Sequence, residues 1–159
     1  MVLINFAAKL SRMIQRIQSI YLLTAALVTV AIYWFPLATF DTYIVYACHI
    51  EKPENAQALL SMVPLAAFPL VGTLLAIFSI FKFKNRMLQL KLNRLNMLVL
   101  LTSMAIEAVL YFRIETLVPA QGKPGFASIL PLVAICFIWL ANRGIKHDER
   151  LVRSADRIR

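Results

Sequence analysis

One acidic residue, Glu107, lies within a long apolar run, with Ser103 and Tyr111 one helical turn away on either side. A charge inside lipid is costly, so this side chain is expected to face protein, water or a partner chain. Three roles are open: a structural hydrogen bond between helices, a pair with Arg113 or another subunit, and a site for a proton or substrate. The first two are favoured, because transport sites usually contain several intramembrane polar groups.

A second cluster of reactive types, Cys48, His49 and Glu51, falls in a polar loop. Without a second group of ligands, an ordinary loop is a better interpretation than a metal site. The chain also lacks a glycine-rich phosphate loop, the HExxH and GxSxG motifs and a carboxylate pair. We therefore predict no catalytic residues, no cofactor and no metal, and a protein that is not an enzyme.

The segments that carry these residues have the composition of a membrane protein. The chain has 159 residues and is 60% hydrophobic, whereas soluble domains contain about 45–50% apolar residues. The excess is gathered into long runs near the roughly 20 residues that cross a hydrocarbon core. The predicted fold class is all-α, an integral membrane four-helix bundle, with spans at about residues 17–40, 56–83, 95–114 and 126–141.

The second predicted span contains two prolines, Pro64 and Pro69, followed by Gly72. Each proline removes a backbone donor and clashes with the preceding turn, so a kink is expected. A broken helix of this kind can line a transport path. The alternative function is therefore a small oligomeric transporter or channel that uses Glu107 and the kinked span.

Basic residues are distributed unevenly around the four runs. The chain has 17 Lys and Arg against eight acids, and fourteen of the 17 lie in residues 1–16, 82–94 and 142–159. The positive-inside rule then places both termini in the cytoplasm, as expected for a bacterial inner-membrane protein with a domain at 17–141 between two cytoplasmic segments. Because the cations flank apolar runs, they indicate anionic lipid headgroups as partners and not nucleic acid.

The tail, residues 142–159, is predicted to form a short amphipathic cytoplasmic helix. Glu149 and Arg153 are four residues apart, and Arg153 and Asp156 three apart, so both pairs suit a helix. An anchor on anionic lipid is the simpler interpretation of this helix. Its three acids also indicate a docking surface for a cytoplasmic protein.

The leading functional hypothesis is a non-enzymatic subunit or assembly factor of a membrane protein complex. Docking would use a basic cytoplasmic face, whose charges orient the partner. The side chains predicted to build this face come from the N-terminal segment, the connector between the second and third spans, and the tail: Arg12, Gln15, Arg16, Gln18, Lys84, Arg86, Lys91, Arg94, Asn142, Arg143, Glu149, Arg153 and Asp156.

Four stretches carry a family resemblance: MIQRIQSIYLL from Met13, FKNR from Phe83 with LQLKLNRLN from Leu88, LANR from Leu140, and DERLVRSADR from Asp148. They resemble a family of small bacterial four-helix inner-membrane proteins that is catalogued only as a domain of unknown function. The resemblance covers residues 13–159 and implies four spans and no catalytic role. Residues 1–12 lie outside it, and we expect them to be an extension from an early start codon.

Overall fold

Four helices make up most of the computed structural model. It describes the backbone of residues 2–40, 43–51, 62–83, 85–117 and 121–156, and the side chains of residues 17–40, 43–50, 62–83, 85–116 and 121–150. The helices are α1 (Val2–Ala31), α2 (Val63–Phe81), α3 (Arg86–Leu117) and α4 (Leu130–Asp156). A 3₁₀ turn at Phe126–Ile129 leads into α4.

In the part of the chain that the structure describes, three helical segments are long and apolar enough to cross a membrane, where the sequence predicted four spans. They are Val63–Phe81, Arg86–Thr116 and Phe126–Arg150. The described side chains of α1, Ile17–Ala31, form an apolar but shorter segment. Large apolar side chains such as Leu74 and Leu98 point outward from these helices, as expected for surfaces in contact with lipid.

The structure is mostly helical, as predicted, and it adds a small antiparallel sheet that the all-α prediction did not include. Its four two-residue strands are β1 (Ala38–Thr39), β2 (Ile44–Val45), β3 (Ile50–Glu51) and β4 (Lys123–Pro124), in the order β3-β2-β1-β4. Ala38 pairs with Val45 on one side and with Pro124 on the other. The loop between α3 and α4 therefore contributes an edge strand to the loop between α1 and α2.

The first predicted span, residues 17–40, is too long at its C-terminal end. Helix α1 stops at Ala31, and β1 occupies part of the region that the apolar run assigned to helix. Pro36 explains the difference, because the ring of a proline in a helix clashes with the carbonyl four residues earlier, which here is that of Ile32. The apolar residues that follow are buried under the sheet and not in a continued helix.

The second predicted span, residues 56–83, is corrected at its start. The described helix begins at Val63, and residues 52–61 lie outside the described part. Pro64 is therefore in the first helical turn, where a missing backbone donor costs nothing. Pro69 alone of the two prolines lies inside α2, and the Thr73 hydroxyl donates to its carbonyl oxygen at 3.0 Å.

Each helix packs against two others: α1 and α3 both contact α2 and α4. One apolar cluster, which includes Leu37, Phe40 and Val45, lies beneath the sheet. A second cluster, which includes Leu22, Leu100 and Ile138, lies between helices α1, α3 and α4. The end that carries the sheet is called the sheet end.

The opposite end contains the short connector between α2 and α3, and we call it the connector end. Helix α3 begins here at Arg86, ahead of the predicted third span at residues 95–114, so most of the basic connector is helical. Helix α4 leaves the sheet end and continues without interruption to Asp156. The predicted tail helix is thus the last part of α4 and not a separate element.

Candidate functional site

Polar side chains are buried between the helices at the connector end. All four helices contribute to this group, which we call the polar layer: Gln18, Ser79, Gln89, Asn93, Asn96, Asn142 and Asp148. Burying a polar group is unfavourable unless it gains a hydrogen bond or an ion pair. Such a layer therefore fixes how the helix ends fit together.

Asn93 is the centre of the layer and is completely buried. The Ser79 hydroxyl of α2 donates to its Oδ1 at 2.6 Å. Its own Nδ2 donates to Oδ1 of Asn142 in α4 at 2.8 Å. Gln89, one turn before Asn93, donates from Nε2 to the Ser79 carbonyl at 3.2 Å. One asparagine of α3 thus joins α2 and α4.

Two glycines allow the helices to approach at this height. A Cβ on Gly144 of α4 would lie 3.2 Å from Cγ of Gln18 in α1, and one on Gly72 of α2 would lie 3.1 Å from Oδ1 of Asn96 in α3. Gln18 Nε2 and Asn96 Oδ1 have no hydrogen-bond partner among the described residues. The layer is therefore tightly packed but not fully paired within the described part of the chain.

An ion pair connects the start of α3 to the last part of α4. Arg86 places a guanidinium nitrogen 2.8 Å from Oδ2 of Asp148. The Asp148 side chain is almost completely buried, whereas the Arg86 side chain is a quarter exposed. A buried carboxylate needs such a partner, so this pair constrains the connector to lie against α4.

Three residues predicted for the docking face take part in contacts within the protein. Asn142 and Gln18 are buried, and Arg86 is paired with Asp148. The prediction is corrected for these three, because Asn142 and Arg86 make polar contacts between helices and Gln18 packs beside Gly144 of α4. Polar residues beside basic ones in sequence alternate between the interior and the surface, since a helix turns by about 100° at each residue.

Other predicted residues do lie on the surface of the connector end. Lys91, Arg94 and Arg143 are exposed, and Glu149 is half-buried. The remaining members of the predicted face have side chains outside the described part of the structure: Arg12, Gln15, Arg16, Lys84, Arg153 and Asp156.

A groove runs along the exposed side of α4 at the connector end. It is a cavity of about 830 Å³ whose lining includes Arg94 of α3 and Arg143, Lys146 and Arg150 of α4. We call this cavity the basic groove, after the four cations that line it. None of the described residues lining that cavity is acidic. A neighbouring cavity of about 260 Å³ shares three of the cations and adds Glu149.

Two cations at this end lie over aromatic rings. The Arg143 guanidinium carbon is 5.9 Å from the centroid of Trp139, and the Lys82 ammonium is 5.1 Å from that of Phe78. Both pairs are cation–π contacts, and each joins an aromatic residue near the end of an apolar segment to the first cation beyond that segment. Aromatic residues of this kind concentrate at the headgroup level of membranes.

Glu107 lies near the sheet end, away from the polar layer. It lines a cavity of about 300 Å³ with Tyr111, Pro124 and Ser128. Ser103 is buried but does not line this cavity. Of the two residues one helical turn from Glu107, Tyr111 therefore lines the cavity and Ser103 does not. None of the described residues lining the cavity belongs to the proline-bearing helix α2.

The pattern of a domain of unknown function, DUF4293, matches residues 14–158 of the chain. The chain belongs to this family. Searches with the chain find no matching curated protein and no matching solved structure. The resemblance to a domain of unknown function, predicted from four stretches of sequence, is confirmed, and the match has nearly the same extent.

Within the DUF4293 match, two of the stretches that carry the resemblance supply much of the polar layer. LQLKLNRLN contributes Gln89, Asn93 and Asn96, and LANR contributes Asn142. These strings therefore have a structural role that is visible in the fold, because the amides of Gln89, Asn93 and Asn142 form hydrogen bonds between helices.

Most of the polar layer was missed in the sequence, although a signal was present. Gln89, Asn93, Asn96, Leu100 and Ser103 follow one another at alternating intervals of four and three residues, and all are buried. This spacing marks one face of a helix even when the residues on it are polar. Hydrophobic runs alone do not reveal such a face.

Proposed function

We propose that the chain is a four-helix bundle of the bacterial inner membrane with both termini in the cytoplasm. We further propose that it is a non-enzymatic subunit or assembly factor, which docks a protein on the surface of its connector end. The exposed described cations support this orientation. Lys82, Lys91 and those of the basic groove lie at the connector end, whereas the sheet end has Arg113 and Lys123.

The observation that carries the docking proposal is the fixed geometry behind the exposed cations. The Arg86–Asp148 pair and the Asn93–Asn142 hydrogen bond hold the first turns of α3 against α4. Exposed Lys91 therefore stands on a supported helix and not on a free loop. A preorganised charged surface binds with less loss of conformational entropy than a mobile one.

The charge of this surface favours a partner with an acidic cytoplasmic face. Complementary charge orients the encounter and discriminates against basic proteins. Lys91 is the informative position, because it is exposed and takes no part in the polar layer. Lys123 offers a matched position at the sheet end, where the same reversal of charge is expected to leave docking unchanged.

The test is recovery of the partner from membranes. The tagged protein is extracted from its own bacterium in mild detergent, and co-eluting proteins are quantified by mass spectrometry for wild type, Lys91→Glu and Lys123→Glu. We expect a stoichiometric partner with wild type and Lys123→Glu, and several-fold less of it with Lys91→Glu. Recovery of the chain alone, or equal loss with both variants, contradicts docking at this end.

A tag on the C-terminus tests the orientation separately. In intact spheroplasts it is expected to resist added protease and to become sensitive when the membrane is opened. Cleavage in intact spheroplasts contradicts the cytoplasmic placement of the tail.

A further inference from the structure

One exposed face of α4 changes from apolar to basic along its length. Leu132, Cys136 and Trp139 are exposed, and they are followed on the same face by Arg143 and Lys146. The intervals alternate between four and three residues, as expected for a single helical face. The same face continues to Arg150.

One exposed face of helix α3 makes the same change. Leu101 and Leu98 are exposed, and Arg94 follows them toward the connector end, again at intervals of three and four residues. Arg94 lines the groove together with Lys146 and Arg150. The two neighbouring helices α3 and α4 therefore both carry cations near the connector end and exposed apolar side chains from there toward the sheet end.

From this arrangement we infer that the basic groove binds the phosphate headgroup of an anionic glycerophospholipid. The headgroup lies among Arg94, Lys146 and Arg150, and an acyl chain lies along the apolar face that Trp139 ends. Guanidinium and ammonium groups form charge-assisted hydrogen bonds with phosphate oxygens. Basic pockets at the cytoplasmic ends of membrane helices suit such headgroups.

Two features favour a membrane lipid over a soluble phosphate. The cations are adjacent to exposed apolar surface, which a soluble anion does not cover. The contact of Arg143 with Trp139 also lies at the transition between the two surfaces, where headgroups are expected. The inference goes beyond protein docking and does not require it, since Lys91, the residue that tests docking, does not line the basic groove.

The test compares lipid retention by the intact chain. Wild type is reconstituted into nanodiscs or detergent with phosphatidylglycerol or with zwitterionic phosphatidylcholine, and bound lipid is measured by native mass spectrometry. We expect one phosphatidylglycerol to remain bound while phosphatidylcholine is lost. Equal retention of the two lipids overturns the proposal.

Paired variants locate the site. Arg94→Gln with Lys146→Gln is expected to weaken phosphatidylglycerol binding by about tenfold or more, because two charge-assisted contacts are removed. Arg113→Gln with Lys123→Gln removes the same charges from exposed positions at the sheet end and is expected to leave it unchanged. Equal weakening by both pairs shows nonspecific attraction and overturns the assignment.

A soluble competitor separates the two sources of phosphate. Glycerol phosphate carries the headgroup chemistry without acyl chains, so it is expected to displace the lipid only at far higher concentration. Binding of glycerol phosphate as tight as that of the lipid overturns the membrane-lipid assignment. Because all four substituted residues are exposed, circular dichroism is expected to show the same helix content in each variant.

Discussion

The two ends of this molecule are fastened by different kinds of contact. At the sheet end, backbone strands from two loops pair above an apolar cluster, and the Gly125 amide donates to the Leu37 carbonyl at 2.7 Å. At the connector end no described strand is present, and contacts between side chains hold the helices together. Asn93 joins α2 to α4, and Arg86 is paired with Asp148.

The difference follows from the lengths of the loops that connect the helices at each end. Long loops at the sheet end can pair their own backbone groups, so their side chains are free to be apolar. Between α2 and α3 the described connector is only a few residues long, so the polar groups must come from the helices themselves. Contacts through side-chain amides also leave the outward faces available for cations.

The largest effect is expected from Asn93→Leu, which keeps the bulk of the side chain and removes both its hydrogen bonds. The Ser79 hydroxyl and the Asn142 amide then lose a partner while remaining buried. Each such loss costs about 1–3 kcal/mol, so we expect the free energy of unfolding to fall by about 2–4 kcal/mol. Reversible denaturation in detergent, followed by circular dichroism, measures this change.

The matched variant is Thr102→Ala on the exposed face of α3. Its hydroxyl bonds only the Leu98 carbonyl of its own helix. We expect a change below about 0.5 kcal/mol, as for most surface substitutions. If the two variants unfold alike, the polar layer does not fasten the connector end.

A pair of glycines gives the most direct contrast between the ends. A Cβ on Gly125 would lie 2.1 Å from the carbonyl oxygen of Pro36, which is backbone and cannot move aside cheaply. We expect Gly125→Ala to destabilise the protein by about 2–3 kcal/mol, because the loop that carries Gly125 must move away from Pro36. Thermal unfolding in detergent measures the loss.

At the connector end the corresponding change is Gly144→Ala. The new methyl group would meet Gln18 Cγ at 3.2 Å, and that side chain is flexible. Alanine also gains roughly 0.5–1 kcal/mol over glycine inside a helix, so the net effect is expected to be small. Equal destabilisation by both alanines would mean that the ends are equally rigid.

The helices were predictable from the sequence, because long apolar runs allow few alternatives in a chain of this composition. The sheet was not, since two-residue strands have no detectable alternation. Its only local signal was Pro36, at the point where the apolar run continues but the helix does not. Pairing Ala38 with Pro124 depends on contact between distant loops, which local sequence does not encode.

The described residues of the predicted docking face lie at the connector end, but several of their side chains are oriented differently from the prediction. Charge counting located the basic segments, and Arg94 and Arg143 are indeed exposed. The same reasoning placed Asn142 on the surface, because it treated neighbours in sequence as neighbours in space. Helical spacing from Asn142 to Ile145 and Asp148, all buried, separates the two faces of α4.

A smaller effect is expected from Asp148→Asn, which removes the negative charge from the ion pair. Arg86 then loses its carboxylate partner, but it is partly exposed and can turn toward water. We therefore expect a loss of about 1–2 kcal/mol, below the range for a fully buried pair.

A double-mutant cycle with Arg86→Gln isolates the ion pair itself. The coupling free energy is expected to be about 1 kcal/mol, measured by denaturation of both single variants and the double variant. A coupling of zero would show that Asp148 acts through packing alone and that α3 and α4 are joined by the amides.

The smallest effect is expected from Ser128→Ala, which tests the sheet end through one side chain. The Ser128 hydroxyl donates to the Leu37 carbonyl at 2.6 Å, beside the Gly125 amide bond to the same oxygen. Because that carbonyl keeps its backbone donor, the loss is expected to be only about 1 kcal/mol. Hydrogen exchange should then be faster at the sheet end alone. Thr39→Val is the control, because its hydroxyl lies 3.5 Å from the Lys123 carbonyl and is exposed. Faster exchange in the polar layer after Ser128→Ala would show that the two ends are coupled and not fastened independently.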